Sequence, residues 1–182
     1  NFDCIYCECG FNKNFRTRTR LPSRENVKEA LEDKLISLKK EGTKIDVITF
    51  AGNGEPTMHP EFSGIIYDTV ELRNKYNPNA KISVLTNGVS VDKKSVFEAL
   101  KKADSPVLKL DSAFDETVKL INRPNSPTYS VAKQVDLYKQ FEGDFVLQTM
   151  FIRGSFEGLS VDNTTEEEVS AWLKLVEELN PR

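Results

Sequence analysis

Cys4 and Cys7 are separated by Ile5 and Tyr6, and Cys9 follows directly, so all three cysteines fall within the first ten residues. Two thiolates at this spacing can grip one metal ion or one iron–sulfur cluster from a single tight turn. A disulfide framework would spread its cysteines along the chain, so metal or redox chemistry fits this pattern better. Cys9 reads as a non-ligand thiol, because a third thiolate two residues on would strain a loop shaped for a cluster. A second group of residues suited to chemistry lies further on: Gly52-Asn53-Gly54-Glu55-Pro56-Thr57, Thr86-Asn87-Gly88, Asp111-Ser112 and Arg153-Gly154-Ser155. Gly52 and Gly54 let the backbone approach a ligand and adopt positive φ without a Cβ penalty. Glu55, followed by Pro56, is a fixed carboxylate able to receive an ammonium through charge-assisted hydrogen bonds.

Those groups need elements to position them. Ser23 caps a helix with Val27, Ala30, Leu31, Leu35 and Leu38 on one face, and Gly42 ends it. Ile45 to Ala51 is a nearly continuous apolar, β-branched run, which predicts a strand covered on both faces and hence a parallel sheet. The unit recurs, with strands at Lys81 to Thr86, Val107 to Asp111 and Phe145 to Ile152. Between and after them run helices carrying Phe62 to Tyr76, Val96 to Leu100 and Val131 to Phe141. Thr165 and Glu168 read as a capping box for a last helix carrying Trp172, Leu173 and Val176. Strands alternating with helices give right-handed crossovers and a parallel sheet, open or curved into a barrel, with ligands at the carboxyl ends of the strands. The polar groups named above sit at those ends.

The sequence of 182 residues, 38% of them hydrophobic, can bury a core, and its length favours one domain over 1–182. A formal net charge of -3 gives no global pull towards nucleic acid. Arg16, Arg18 and Arg20, with Lys13 and Arg24 nearby, form a local basic stripe suited to a phosphate-bearing substrate such as tRNA, to an acidic partner protein, or to a solvated loop over the metal site. His59, the only histidine, has no partner at ligand spacing and reads as a turn or capping residue. With no bilayer-spanning apolar run and no signal-peptide pattern, the reading is a soluble, cytoplasmic chain without a membrane partner.

Asn1-Phe2-Asp3-Cys4-Ile5-Tyr6-Cys7, then Gly-Asn-Gly-Glu-Pro-Thr, then Thr-Asn-Gly, resembles the radical S-adenosylmethionine superfamily, in particular its activating-enzyme and wyosine-type branches. The resemblance implies a partial (β/α) barrel of parallel strands, here truncated at both ends, within a longer chain. It implies a 4Fe-4S cluster on Cys4, Cys7 and the residue preceding Asn1, with S-adenosylmethionine chelated to the remaining iron. The sequence as given would then be inactive without that upstream cysteine. Tyr6 matches a position near the adenine, Gly52, Asn53, Gly54 and Glu55 the motif binding the methionine amino group, and Asn87, Asp111 and Gln148 positions that touch the rest of the cofactor. The implied activity is reductive cleavage of S-adenosylmethionine to a 5′-deoxyadenosyl radical that abstracts hydrogen from a substrate. The substrate would be a glycyl radical enzyme or a tRNA nucleoside, with an electron donor such as flavodoxin or ferredoxin. The cofactor carries the chemistry, so no protein residue is assigned a catalytic acid or base. The competing reading is a zinc-holding structural or interaction domain on Cys4, Cys7 and Cys9.

Overall fold

A computed structural model describes residues 2–8, 10–11, 21–52 and 54–182. They divide into two compact units, one comprising the described N-terminal residues with Asn87–Val89 and Val107–Arg182, the other the described part of Thr19–Thr86 with Ser90–Pro106.

In the second of these units, α1 (Arg24–Lys40) starts at Ser23, whose side chain accepts from Asn26 N while the Asn26 side chain returns to the Ser23 backbone. Gly42, at φ 69°, closes the helix where the sequence places its end. α1 is fixed to α2 (Phe62–Tyr76) by a planar fork: Arg24 Nε and Nη2 donate to the two oxygens of Asp68, each at 2.7 Å. β1 (Val47–Phe50) pairs in parallel with β2 (Lys81–Thr86), Val47 opposite Lys81 and Phe50 opposite Val84. α3 (Lys94–Leu100) follows, and Ile66, Ile82, Val84, Ala99 and Leu100 are fully buried. β1 corrects one expectation. It is shorter than Ile45 to Ala51 and not covered on both faces, for Val47 is 48% exposed. The reason is its place: β2 is its only strand partner among the described residues, so its apolar run lies at a rim.

In the other unit, β3 (Ser105–Lys109, entering from Val107) pairs in parallel with β4 (Val146–Gln148), Lys109 opposite Gln148. Around this pair stand α4 (Asp115–Ile121), α5 (Val131–Lys139) and α6 (Glu166–Leu179). Leu108, Leu110, Val118, Ile121, Tyr138 and Phe145 form the core. The Tyr138 hydroxyl, fully buried, donates to Lys109 O at 2.8 Å and Asn87 O at 3.3 Å. Gly88 turns beside it at φ 74°, a conformation and a closeness that only glycine accepts without strain.

Two features interrupt the expected alternation of strand and helix. α4 was not expected between β3 and α5, and β5 (Arg153–Phe156) with β6 (Leu159–Asp162) forms an antiparallel hairpin turned at Glu157 and Gly158, both at positive φ. The capping box on α6 is half formed. Thr165 accepts from Glu168 N at 3.2 Å, but the Glu168 carboxylate accepts instead from Ser112 Oγ at 2.7 Å and Thr117 Oγ1 at 2.5 Å. Two hydroxyl partners, one buried and one partly buried, outcompete one exposed backbone amide for that carboxylate.

Candidate functional site

The cysteine loop is a tight turn: Cys7 N donates to Cys4 O at 3.0 Å, and Gly10 N to Cys7 O at 3.1 Å. Its entry is clamped to the C-terminal end of α4, with Asp3 N donating to Asn122 O at 3.0 Å and Ile5 N to Ile121 O at 2.8 Å. Cys4 is half-buried, Cys7 is exposed, and both thiols are free. Burial pushes the Cys4 thiol up, opposed by the hydrogen bond from Asn122. Cys9, like Asn53 and the stripe of Arg16, Arg18 and Arg20, lies outside the described residues.

Behind the loop lies a buried polar hub. Asp111, at the end of β3 and 2% exposed, accepts through one carboxylate oxygen from the Tyr6 hydroxyl at 2.5 Å and from Asn122 Nδ2 at 2.6 Å. Its other oxygen accepts from Met150 N at 2.8 Å and lies 3.5 Å from Lys109 Nζ. Lys109 also stands over the Tyr6 ring, 5.1 Å from its centroid. Burial and the Asp111 charge raise the Tyr6 phenol far above its ordinary range, so Tyr6 stays a neutral donor. Asn122 Nδ2 further reaches Tyr6 Oη at 3.0 Å and Cys4 Sγ at 3.4 Å. Tyr6, Asp111 and Cys4 are therefore brought together. Asn87 is buried nearby in sequence order to Gly88, its side-chain oxygen accepting from Val89 N at 3.1 Å, and Gln148 has an exposed side chain with its carbonyl accepting from Leu110 N at 3.0 Å.

The glutamate motif belongs to the other unit. Gly54 N donates to Gly52 O at 2.7 Å, and of the two glycines only Gly54 takes a positive φ, 147°. Glu55 then caps a short 3-10 turn, Pro56–Met58. One of its carboxylate oxygens accepts from Thr57 N at 3.1 Å, Thr57 Oγ1 at 2.6 Å and Thr86 Oγ1 at 2.6 Å. Three donors on one oxygen fix the direction of the carboxylate, which is what recognition of an ammonium needs. His59 serves the turn, as expected: Nε2 faces Pro22 O at 2.9 Å and Nδ1 accepts from Glu61 N.

Sequence reasoning missed Asn122, Asn163 and Lys109. Asn163 Nδ2 donates to Asp111 O and Met150 O at 2.7 and 2.8 Å, tying the strand end to the segment after β4. An asparagine after a short helix carries no local signature of such a role. Thr57 and Thr86, by contrast, stood inside the quoted motifs and needed only the hydrogen-bond geometry to be recognised.

The donor set fits a thiolate-held group, since two free soft sulfurs share one turn with an N–H donor directed at one of them. Among the described residues no three His, Cys, Asp or Glu side chains gather as metal ligands, and no helix is long and apolar enough to cross a membrane.

Comparison with known proteins bears on the same segments. The chain is 28% identical over its whole length to a GTPase Obg of Brachyspira hyodysenteriae, spanning 25% of that protein. It is 26% identical to a UPF0026 protein of Methanocaldococcus jannaschii, covering 100% of this chain and 53% of the relative. A UPF0026 protein of Helicobacter pylori is also 26% identical, over 85% of this chain and 48% of its own length. The chain thus spans from a quarter to about half of these curated relatives. Among solved structures it resembles a domain of pyruvate-formate lyase-activating enzyme from Bacteroides vulgatus, with a TM-score of 0.53 and 20% identity over 75% of each chain, a likeness of fold. That likeness and the parallel strands of each unit agree with the partial (β/α) barrel expected from the sequence. The Radical SAM superfamily model matches residues 1–155, from the cysteine turn through the glutamate-bearing strand end to the start of the hairpin, and the chain belongs to that superfamily.

Proposed function

We propose that this chain is the cofactor-binding part of an enzyme that reductively cleaves S-adenosylmethionine and uses the product to abstract hydrogen from a substrate. The observation that carries the reading is the pair of free thiols of Cys4 and Cys7 on one hydrogen-bonded turn. Cys4, Cys7 and the residue preceding Asn1 would hold a 4Fe-4S cluster, and Glu55 the methionine ammonium. When bound, the cluster and S-adenosylmethionine supply the one-electron chemistry that yields a 5′-deoxyadenosyl radical.

The protein's own part is placement. Thr57 and Thr86 hold Glu55 in one rotamer, so the ammonium meets a carboxylate that loses little conformational freedom on binding. Tyr6 and Asp111 hold the cysteine loop against the end of β3, and no protein base is needed. The full-length protein, reduced anaerobically with S-adenosylmethionine, is expected to release 5′-deoxyadenosine. Glu55→Ala removes a charge-assisted hydrogen bond worth about 1.5–3 kcal/mol, so the Kd for S-adenosylmethionine should rise roughly 10- to 100-fold while iron content is unchanged. Unaltered affinity would remove Glu55 from the site.

A further inference from the structure

Asn122 is the side chain on which the loop and the strand end converge. It is 1% exposed, and its single amide nitrogen faces Asp111 Oδ2 at 2.6 Å, Tyr6 Oη at 3.0 Å and Cys4 Sγ at 3.4 Å. A carboxylate can only accept, so the NH2 end of the amide must face this cluster. An NH2 group has two hydrogens. One is committed to Asp111, leaving the other between the tyrosine oxygen and the cysteine sulfur. The backbone of the same residue receives Asp3 N, one residue before Cys4. Asn122 therefore fixes Cys4 twice, through the main chain ahead of it and through a donor aimed at its sulfur.

We propose that Asn122 is a positioning residue that tunes the cluster held by Cys4. Its N–H dipole points at the sulfur and favours the extra negative charge of the reduced state, which raises the reduction potential. Asp111 and Tyr6 orient the amide, Asp111 as acceptor and Tyr6 by fixing the carboxylate that the amide also uses. This inference rests on the functional reading above, because it needs a cluster on Cys4.

The test is the midpoint potential of the cluster in the full-length protein, followed by electron paramagnetic resonance during a dithionite titration. Asn122→Leu keeps the approximate volume and deletes the donor. The expected result is a potential shifted to more negative values, with iron content retained. An unchanged potential in a variant that holds its iron overturns the proposal alone, whereas a wild-type protein without iron overturns the functional reading with it. Wild-type protein carrying 15N in its asparagine side chains provides a second measurement, needed should Asn122→Leu fail to fold. Pulsed resonance of the reduced cluster should then show a 15N coupling from one side-chain amide, and its absence overturns the proposal.

Discussion

Replacement of Gly88 by alanine tests the packing around the buried Tyr138. Gly88 sits at φ 74°, where a non-glycine residue costs about 1–2 kcal/mol in backbone energy. A Cβ added there would meet Tyr138 Oη and lie 2.6 Å from Tyr138 Cε1 and 2.5 Å from Gln134 Nε2. Neither neighbour yields easily: Tyr138 is fully buried and anchored by its hydroxyl to Lys109 O, and Gln134 is buried too. Overpacking of this kind costs about 1–3 kcal/mol, and loss of the Tyr138 hydrogen bond about 1 kcal/mol more. The sum is about 3–6 kcal/mol, a large part of a typical domain's stability. Two other glycines separate these contributions. Gly158 has φ 80° with nothing within 4 Å of an added Cβ, so Gly158→Ala should cost only the backbone part, about 1–2 kcal/mol. Gly154 has neither a positive φ nor a neighbour, and Gly154→Ala should change stability by less than about 0.5 kcal/mol. Urea denaturation followed by circular dichroism measures all three; at a slope of about 2 kcal/mol/M, Gly88→Ala should lower the midpoint by about 1.5–3 M. If Gly88→Ala proved no more damaging than Gly158→Ala, the steric argument at Tyr138 would be refuted.

Thr86→Val removes one of the three donors on the Glu55 oxygen while keeping shape, and should weaken S-adenosylmethionine binding about 3- to 10-fold by isothermal titration, as a lost hydrogen bond of about 1 kcal/mol requires. An unchanged Kd would show that Glu55 needs no such support. The Arg24 fork, foremost through its hydrogen bonds, holds the Asp68 carboxyl below its ordinary value. Its stabilisation is therefore present above about pH 4, the unfolded value, and is lost as pH falls through the lower folded value. Wild-type protein should lose stability in that acid range more steeply than Asp68→Asn, and parallel profiles would contradict the assignment. If the substrate is a tRNA nucleoside, the full-length protein should co-purify with RNA that is released as salt rises; binding indifferent to salt would count against a phosphate-bearing substrate.

How far the sequence carried these conclusions depended on how local each determinant is. The Ser23 cap, the Gly42 stop and the Lys81–Thr86 strand are written in neighbouring residues, and the structure places them where the pattern does. The cysteine turn and the glutamate motif were equally visible, being contiguous. β1 came out shorter and more exposed because its burial depends on how many strands flank it, which periodicity does not record. α4 buries only Val118 and Ile121, and two apolar positions do not define a helical period. The hairpin turn uses Glu157-Gly158 in place of the usual Asn-Gly or Asp-Gly, so its signal was weak. The Glu168 side chain followed two hydroxyls far away in sequence, Ser112 and Thr117, and not its own helix cap. Asn122 was hidden for the same reason: its partners lie up to 118 positions away, and only the folded chain assembles them.

The most direct measurement is the metal content of the full-length protein, including the residue before Asn1, after anaerobic reconstitution with iron and sulfide. About four irons per chain with broad visible absorbance, both lost when Cys4 and Cys7 are changed to serine, is the expected result. Colourless protein, whether metal-free or carrying a single tetrahedral zinc, would contradict it.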